Sequence, residues 1–471
     1  MAYSFGICTL GCKVNQYESE CIRGLLENRG FVSMPFSAKC DVYIINSCTV
    51  TGESDRKVMQ MCRRAVRTNP EAFVCVIGCM AQIAADRLAQ IEGISYIGGN
   101  VSKGKVVDVI AAHFFPEEKS STDAGKGGSG NASVPRTIGQ IIDAEPFAVD
   151  QPYEPLCLSD VGHTRAVIKI EDGCDSACSY CIIHTARGPA RSRGPEDVLS
   201  EIEQLAKAGY KEVILTGIEL SSYSYDLPEL LIQTGNISGI ERIRLGSLDP
   251  AFITEERIHR FSQAEKLMPH FHISLQSGSS KILAKMRRKY NAQTAFKRVK
   301  YLKESFPGAC LFADIIVGFP GETEEDFEET VNFIKEIPFL HLHIFPYSKR
   351  KGTPAAAMPD QVPDNIKRER AARLDSIQKE IKRKLLEEVV KSGKTLKVLF
   401  EANRTGHSEE FIEIKIAERS GCSCSADSAC TGGRKISVKK GEIAECTPLY
   451  TDGDVIYVSI NGQSDPPDIA D

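Results

Sequence analysis

The sequence lacks several features that would assign it to a broad class at once. None of its apolar runs reaches about 18 residues, the length that a membrane-spanning helix requires. Its first residues, MAYSFGICTLGCKVNQ, lack the basic segment and apolar core of a secretory signal. Its formal net charge is only −5, so overall charge neither indicates nor excludes a nucleic-acid partner. We therefore expect a cytoplasmic protein with no membrane association.

Cysteine, in contrast, is abundant. The 471-residue chain contains 17 cysteines. Structural disulfides are rare inside cells. This number therefore favours metal or redox chemistry over a disulfide framework.

Residues 1–115 predict an open parallel α/β sheet domain. Strand-like runs alternate with helix-like runs, which is typical of βαβ units. The strand-like runs are YSFGICTL, DVYIINSC, FVCVIGC and ISYIGGN. The helix-like runs are QYESECIRGLLENRG, ESDRKVMQMCRRAVRTN and QIAADRLAQI.

Cys12, Cys48 and Cys79 each lie just beyond one of these predicted strands. Ligands of open parallel sheets bind outside the carboxyl ends of the strands. Three strands could therefore bring these cysteines to one metal centre, and burial as small apolar residues is the alternative. The other cysteines of this region are predicted to be core residues, namely Cys8, Cys21, Cys62 and Cys75.

The rest of the chain divides by composition and periodicity. Residues 116–163 are predicted to be a linker with a Gly/Ser-rich flexible part. Residues 164–391 contain about six βα units, too few for an eight-fold barrel, and predict a partial (β/α)6 barrel with a C-terminal helix over 363–391. Residues 392–460 predict a small β domain, followed by a tail over 461–471. The predicted fold class is therefore α/β with a small C-terminal β domain.

The run EDGCDSACSYC places Cys174, Cys178 and Cys181 directly after the first predicted barrel strand. Chemistry in such barrels takes place at the carboxyl ends of the strands. No fourth cysteine follows nearby to complete a tetrahedral zinc site, and His184 is expected to have a surface or supporting role. Three thiolates would instead leave one iron of a four-iron cluster open to a small molecule. Zinc remains the alternative.

The C-x-x-x-C-x-x-C spacing after a first barrel strand resembles the radical S-adenosylmethionine (SAM) enzymes. This resemblance implies that Cys174, Cys178 and Cys181 bind a [4Fe-4S] cluster whose fourth iron is chelated by SAM. Reductive cleavage of SAM would then yield a 5′-deoxyadenosyl radical.

Further motifs resemble the methylthiotransferases within that group, and most closely the MtaB type, which acts on tRNA. The motifs span about residues 6 to 357 and include TLGCKVNQYESE, INSCTVT, GCMAQ, CSYCIIHTARGPARSR, LTGIE, LQSGS, MRRKY, IVGFPGET and FPYSKRKGTPAA. The resemblance implies an enzyme with a second [4Fe-4S] cluster on Cys12, Cys48 and Cys79. It also implies methylthiolation of carbon 2 of N6-threonylcarbamoyladenosine at position 37 of tRNA, with an electron donor such as a flavodoxin or ferredoxin. The sulfur source is left open.

Several polar residues and glycines at predicted strand ends are candidates for contacts with SAM, although a glycine there can simply make a turn. They are Gly217, Glu219, Gln276, Ser277, Gly318, Gly321 and Glu322. Clustered basic residues are candidates for contacts with tRNA phosphates, although such clusters are often only solvated surface. They are Arg187, Arg191, Arg193, Arg287, Arg288, Lys289, Lys349 and Arg350. The C-terminal β domain resembles the RNA-binding TRAM module.

Two questions stay open at this stage. Cys422, Cys424 and Cys430 depart from the family pattern and belong either to a variable loop or to a further metal site. The same chemistry could also act on isopentenyl-adenosine in tRNA or on an aspartate of a ribosomal protein. A non-catalytic iron–sulfur protein that binds RNA and senses redox state is the alternative of another class.

Overall fold

A computed structural model of the chain describes residues 2–116, 140–158, 164–402, 404–417 and 438–461. The Gly/Ser-rich segment, Cys422, Cys424, Cys430 and nearly all of the predicted tail lie outside these residues. The chain divides into two compact units. One comprises Met1–Asp160, Lys169–Arg193 and Lys349–Ala356; the other comprises Val161–Ile168, Gly194–Ser348 and Ala357–Asp471.

The first unit is built on a parallel sheet in the order β2-β1-β3-β4-β5-β6. Its strands are β1 (Ser4–Thr9), β2 (Val32–Ser33), β3 (Val42–Ser47), β4 (Phe73–Gly78), β5 (Ile94–Gly98) and β6 (Ile141–Asp143). Its helices are α1 (Lys13–Glu27), α2 (Gly52–Thr68), α3 (Cys79–Ile83), α4 (Ala85–Ala89) and α5 (Lys105–Phe114). The predicted open parallel sheet is confirmed.

Apolar runs covered on both faces explain why this sheet forms. Every residue of β3 and β4 is buried, as expected for central strands of a parallel sheet. Of the cysteines predicted to be core residues, Cys21, Cys62 and Cys75 are buried and Cys8 is half-buried. Burial raises the pKa of the Cys62 thiol to about 12, so this residue behaves as a small apolar group.

The chain next forms β7 (Arg165–Lys169) and then a hairpin that belongs to the first unit. The hairpin consists of β8 (Glu171–Asp172) and β9 (Arg191–Ser192), which pair antiparallel, with helix α6 (Ile183–Arg187) between them. This grouping cuts across the predicted domain boundary at residue 164, and the predicted boundaries stay predictions.

The second unit contains the predicted barrel strands, arranged as sheets β11-β10-β7 and β12-β13-β14-β15. The strands are β10 (Glu212–Thr216), β11 (Arg242–Leu245), β12 (Ser247–Leu248), β13 (His270–Gln276), β14 (Cys310–Val317) and β15 (His341–Pro346). The helices are α7 (Pro195–Lys207), α8 (Leu227–Asn236), α9 (Glu255–Phe261), α10 (Ser280–Lys285), α11 (Ala292–Ser305), α12 (Glu324–Glu336) and α14 (Asp364–Ser392), whereas most of the short helix α13 (Pro354–Ala357) belongs to the first unit. Only Gly246 separates β11 from β12, so the array corresponds to the six expected βα units.

The C-terminal residues form a closed five-stranded barrel in the order β16-β17-β18-β20-β19. Its strands are β16 (Leu396–Ala402), β17 (Thr405–Ser408), β18 (Glu413–Ile416), β19 (Ile443–Thr451) and β20 (Ile456–Ile460). The sequence did not predict β17 or β19, which are short or interrupted by proline. A further strand-like run in the sequence, RKISVKK over 434–440, lies mostly outside the described residues. Within those residues, every helix is too short or too polar to cross a bilayer.

Candidate functional site

Cys12, Cys48 and Cys79, which we call the strand trio, lie at one edge of the first unit's sheet. Cys48 and Cys79 directly follow β3 and β4, and Cys12 follows β1 as the N-cap of α1. These three strands are parallel neighbours. The convergence that the strand order predicted is therefore present in the fold.

The chain just before Cys12 passes close to Cys48, and Gly11 is the residue at this point of approach. Its φ is +116°, and a Cβ on it would lie 2.9 Å from the Cβ and 3.2 Å from the Sγ of Cys48. Only glycine fits such a position without strain. Burial raises the pKa of the Cys48 thiol, and the nearby thiols of Cys79 and Cys12 raise it further. The three thiols therefore share one electrostatic environment.

Cys174, Cys178 and Cys181, which we call the loop trio, lie between β8 and α6 of the same unit. The backbone N–H of Ser176 donates to Cys174 Sγ at 3.4 Å, and that of Ile183 donates to Cys181 Sγ at 3.4 Å. Hydrogen bonds to sulfur stabilise the thiolate form that metals require. His184 is exposed on α6, which agrees with its predicted surface position.

Two asparagines connect the strand trio with helix α6. Asn15 Oδ1 accepts hydrogen bonds from Cys12 Sγ at 3.8 Å and from Arg187 Nη2 at 2.5 Å. Asn100 Nδ2 donates to Cys79 Sγ at 3.5 Å and to the carbonyl oxygen of Ala186 at 2.7 Å. Helix α6, which follows the loop trio, is therefore hydrogen-bonded to residues that contact the strand trio.

Beside these asparagines lies a set of buried charged side chains that the sequence analysis did not single out as a set, which we call the ion cluster. Glu18 pairs with Lys103, with Lys169 at 3.1 Å and with Arg187 at 3.0 Å. Asp172 pairs with Lys169 at 3.1 Å, with Arg187 at 2.8 Å and with Arg191 at 3.4 Å. The only sequence signal was Lys169 within the apolar run AVIKI.

This cluster corrects the prediction for three of the basic residues. Arg187, Arg191 and Arg193 were expected to meet tRNA phosphates, yet all three are buried. Arg187 and Arg191 pair inside the ion cluster, and Arg193 donates to Tyr17 Oη at 3.3 Å. A buried, internally paired guanidinium is not available to a phosphate in solution, so these residues do not support that role.

The remaining basic candidates divide into paired and exposed residues. Arg288 pairs with Asp249 at 2.5 Å, and Arg350 pairs with Asp55 at 2.9 Å. Arg287, Lys289 and Lys349 are exposed. Only these last three keep the solvent access that a phosphate contact requires.

Gly217, Glu219 and Gln276 follow or end barrel strands, as the sequence predicted. Burial raises the pKa of Glu219, whose carboxylate also accepts from the backbone N–H of Ser221 at 3.3 Å. Gln276 is buried with a φ of +67°, a left-handed conformation that is rare for a residue with a side chain. Such strain often marks a ligand site, and contact with SAM stays a prediction for these residues.

The other four candidates for SAM contacts have internal roles in the second unit. Ser277 Oγ lies 3.3 Å from Thr330 Oγ1. Glu322 accepts from the backbone N–H of Gly318 and pairs with Arg370, both at 2.6 Å. A Cβ on Gly318 would lie 2.3 Å from Lys367 Cγ, and one on Gly321 would lie 2.0 Å from Lys285 Nζ. The φ values of Gly318 and Gly321, +70° and +77°, favour glycine at both turns, and contact with SAM stays a prediction for all four residues.

The separation of the thiols distinguishes the two kinds of metal site. Thiolates on a single zinc ion lie roughly 3.8 Å apart, given a Zn–S distance of about 2.3 Å. Within the described residues, only His272, Asp314 and His343 bring three potential ligand atoms within 4.8 Å of one another, and neither cysteine trio does. A multi-iron cluster does not require such close thiols, because each thiolate binds a different iron.

The His272, Asp314 and His343 set was missed by the sequence analysis. The three residues lie on the neighbouring strands β13, β14 and β15, with Asp314 directly opposite His343. Asp314 Oδ1 lies 3.0 Å from His272 Nε2. The signal was a single aspartate in the apolar strand β14, between two strands that each contain histidines.

Six βα units in which a loop with three spaced thiols follows the first strand define the class of the radical SAM enzymes. Residues 168–334 match the Radical SAM superfamily, and residues 4–99 match Uncharacterized protein family UPF0004. The radical S-adenosylmethionine methyltransferase TsrM from Kitasatospora setae has a similar fold, with a TM-score of 0.53 and 15% identity over 76% of this chain and 77% of that one.

Similarity to sequence relatives extends over most of the chain. The threonylcarbamoyladenosine tRNA methylthiotransferase MtaB of Bacillus subtilis is 42% identical over 372 residues, which cover 78% of each chain. The tRNA-2-methylthio-N(6)-dimethylallyladenosine synthase of Caldicellulosiruptor saccharolyticus is 35% identical over 84% of this chain and 82% of the relative. The chain belongs to the radical SAM methylthiotransferase family. Membership implies a [4Fe-4S] cluster and SAM as cofactors.

Proposed function

We propose that this protein adds a methylthio group to carbon 2 of N6-threonylcarbamoyladenosine at position 37 of tRNA. The observation that carries the proposal is the presence of two cysteine trios in one unit, one in a single loop and one at three neighbouring strand ends. The relative from B. subtilis, named for this reaction, supports the choice of substrate.

The loop trio would hold the cluster that acts on SAM, and the strand trio would hold a second [4Fe-4S] cluster. Bound there, the two clusters would supply a radical generated from SAM and a sulfur for transfer. Two clusters are needed because carbon 2 of adenine is not activated toward an ordinary acid or base. Removal of its hydrogen and delivery of sulfur are separate tasks.

The protein's own groups would hold these trios in a ligating state. Backbone N–H groups of Ser176 and Ile183 favour the thiolates of Cys174 and Cys181. Asn15 and Asn100 orient Cys12 and Cys79. Glu219 and Gln276, at the carboxyl ends of barrel strands, are our candidates for polar contacts with SAM.

The C-terminal barrel is the proposed RNA-binding element. Tyr450 is 50% exposed and stacks on Tyr457, with ring centroids 4.6 Å apart and planes 13° from parallel. Lys415 lies opposite Tyr457 on the neighbouring strand. An exposed aromatic pair beside a cation is the combination on which unpaired bases stack. Arg287, Lys289 and Lys349 would add phosphate contacts.

The reaction also needs partners that the chain does not contain. We propose a reduced flavodoxin or ferredoxin as the electron donor, and a cytoplasmic location, where tRNA is modified. The source of the transferred sulfur is not assigned.

Nucleoside mass spectrometry on tRNA from cells with and without the gene tests the proposal. We expect 2-methylthio-N6-threonylcarbamoyladenosine to disappear without the gene and to return with it. If that nucleoside is unchanged and the methylthio form of isopentenyl-adenosine disappears, the substrate is the one named for the relative from C. saccharolyticus. If both are unchanged, a ribosomal-protein aspartate is the next substrate to test. A reconstituted protein that forms no 5′-deoxyadenosine would instead favour the non-catalytic redox sensor.

A further inference from the structure

The ion cluster carries more positive than negative charge. Its acids are Glu18 and Asp172, and its bases are Lys103, Lys169, Arg187 and Arg191. None of these six side chains is more than 7% exposed. Four cations against two anions leave an excess of two positive charges within the directly paired set.

This excess persists at neutral pH. Burial opposes ionisation of Glu18, but Arg187, Lys103 and Lys169 outweigh it and hold the pKa of that carboxyl below its usual range. Glu154 also acts on Lys169 from outside the directly paired set, but within that set the buried positive charge exceeds the negative charge, which is unfavourable. An anionic group is therefore expected next to the cluster.

The geometry shows which side of the ion cluster faces a possible anion. Arg187 reaches Asn15, the residue that accepts from Cys12 Sγ. The neighbouring carbonyl of Ala186 is held by Asn100, which also donates to Cys79 Sγ. Within the described structure, Arg187 Nε is buried and donates no hydrogen bond. The charge excess and its one unused donor both lie beside the strand trio.

We propose that Arg187, supported by the other cations of the ion cluster, is the counter-charge of the cluster bound by the strand trio and raises its reduction potential. The inference rests on the proposed function, because it requires that second cluster. Three thiolates give such a cluster net negative charge, and reduction adds another electron. A fixed cation nearby stabilises the reduced form more than the oxidised form. Arg187 follows the loop trio in sequence, but as a positioning residue it acts on the cluster bound by the strand trio.

A redox titration monitored by electron paramagnetic resonance tests this role. The titrated protein is the full chain with the substitutions Cys174→Ala, Cys178→Ala and Cys181→Ala. In this variant only the strand trio contributes a signal. We expect Arg187→Gln to lower the midpoint potential and Arg187→Lys, which keeps the charge, to restore most of it. Arg244→Gln is the matched control, because Arg244 is equally buried but pairs with Glu212 at 2.9 Å in the second unit. It should leave the potential unchanged.

Lys103→Gln covers the case in which Arg187→Gln fails to fold or to bind a cluster. It removes one charge of the same excess without changing a contact to Asn15, so the potential should shift in the same direction by a smaller amount. An unchanged potential in the charge-removing variants would overturn the inference while leaving the second cluster in place. A parent protein that binds no iron on the strand trio would overturn both the inference and the proposed second cluster.

Discussion

The two cysteine trios reach their positions by different routes. The loop trio comes from eight consecutive residues, Cys174 to Cys181, between one strand and one short helix. The strand trio comes from three strand ends, and its outer members are 67 residues apart in sequence, from Cys12 to Cys79. Spacing alone identifies the first trio, whereas the second becomes visible only when strand order is considered. A ligand set can therefore be specified by a motif or by a topology.

Removing one trio at a time should produce the largest effects. We expect the reconstituted wild-type chain to hold about eight irons and either Cys174→Ala or Cys12→Ala to hold about half. Cys174→Ala should abolish 5′-deoxyadenosine formation. Cys12→Ala should keep that reaction but lose methylthio product, as measured by iron analysis and nucleoside mass spectrometry. Full methylthio product from Cys12→Ala would contradict the separate roles of the two trios. A wild-type iron content that saturates near four irons per chain would contradict them as well.

Glu18→Gln should have the next largest effect, because Glu18 joins helix α1 to the segment that carries the loop trio. Removing one partner of a buried ion pair costs about 3–5 kcal/mol, and here three cations would lose their shared anion. Chemical denaturation measures the loss. The control is Glu53→Gln, since Glu53 is 53% exposed and its pair with Arg56 should contribute almost nothing.

The pH dependence of unfolding sharpens the same prediction. The folded-state pKa of Glu18 is depressed, so its stabilising contribution is present above its unfolded pKa of about 4.3 and is lost as pH falls below that value. Wild type should therefore lose more stability than Glu18→Gln between neutral pH and about pH 3. Parallel stability curves for the two proteins would contradict the assignment.

Two glycines allow each trio to be disturbed without touching a cysteine. A Cβ at Gly11 meets Cys48, and a Cβ at Gly173 would lie 2.0 Å from the carbonyl oxygen of Pro189. We expect Gly11→Ala to lower iron at the strand trio while 5′-deoxyadenosine formation persists, and Gly173→Ala to reduce that formation. Gly30→Ala is the control, since Gly30 has a φ of +83° but open space around it. It should cost only about 1–2 kcal/mol of stability and no iron.

We expect the smallest effect from a substitution in the C-terminal barrel, which is far from either trio in sequence. Tyr450→Ala should weaken tRNA binding by about 1 kcal/mol, roughly fivefold in Kd, because Tyr457 remains as a partial stacking surface. Iron content and 5′-deoxyadenosine formation should not change. Tyr225→Ala is the control, because Tyr225 is 48% exposed outside the C-terminal barrel. Equal losses of binding in both variants would remove the C-terminal barrel from the RNA interface.

Periodicity and spacing were enough to predict the parallel sheet, the six-unit array, the long helix α14 and both trios. They failed where a residue's role depends on partners distant in sequence. Arg187 looks like a surface cation in the run TARGPARSR, yet its partners Glu18 and Asn15 lie about 170 positions earlier, at separations of 169 and 172. Hairpin β8–β9 was missed because two-residue strands leave no periodic signal.

The first unit is built from three segments that are separated in sequence. It can therefore be completed only after the last of these segments has been translated. Its last segment is Lys349–Ala356. The pair between Glu18 and Lys169 cannot form until Lys169 has been translated, 151 residues after Glu18. At roughly 5–20 residues per second, many seconds separate translation of α1 from translation of its charged partners. The nascent sheet therefore emerges from the ribosome with an incomplete interior and open thiols. Any cluster that the strand trio takes up before Arg187 is translated would therefore lack its proposed counter-charge.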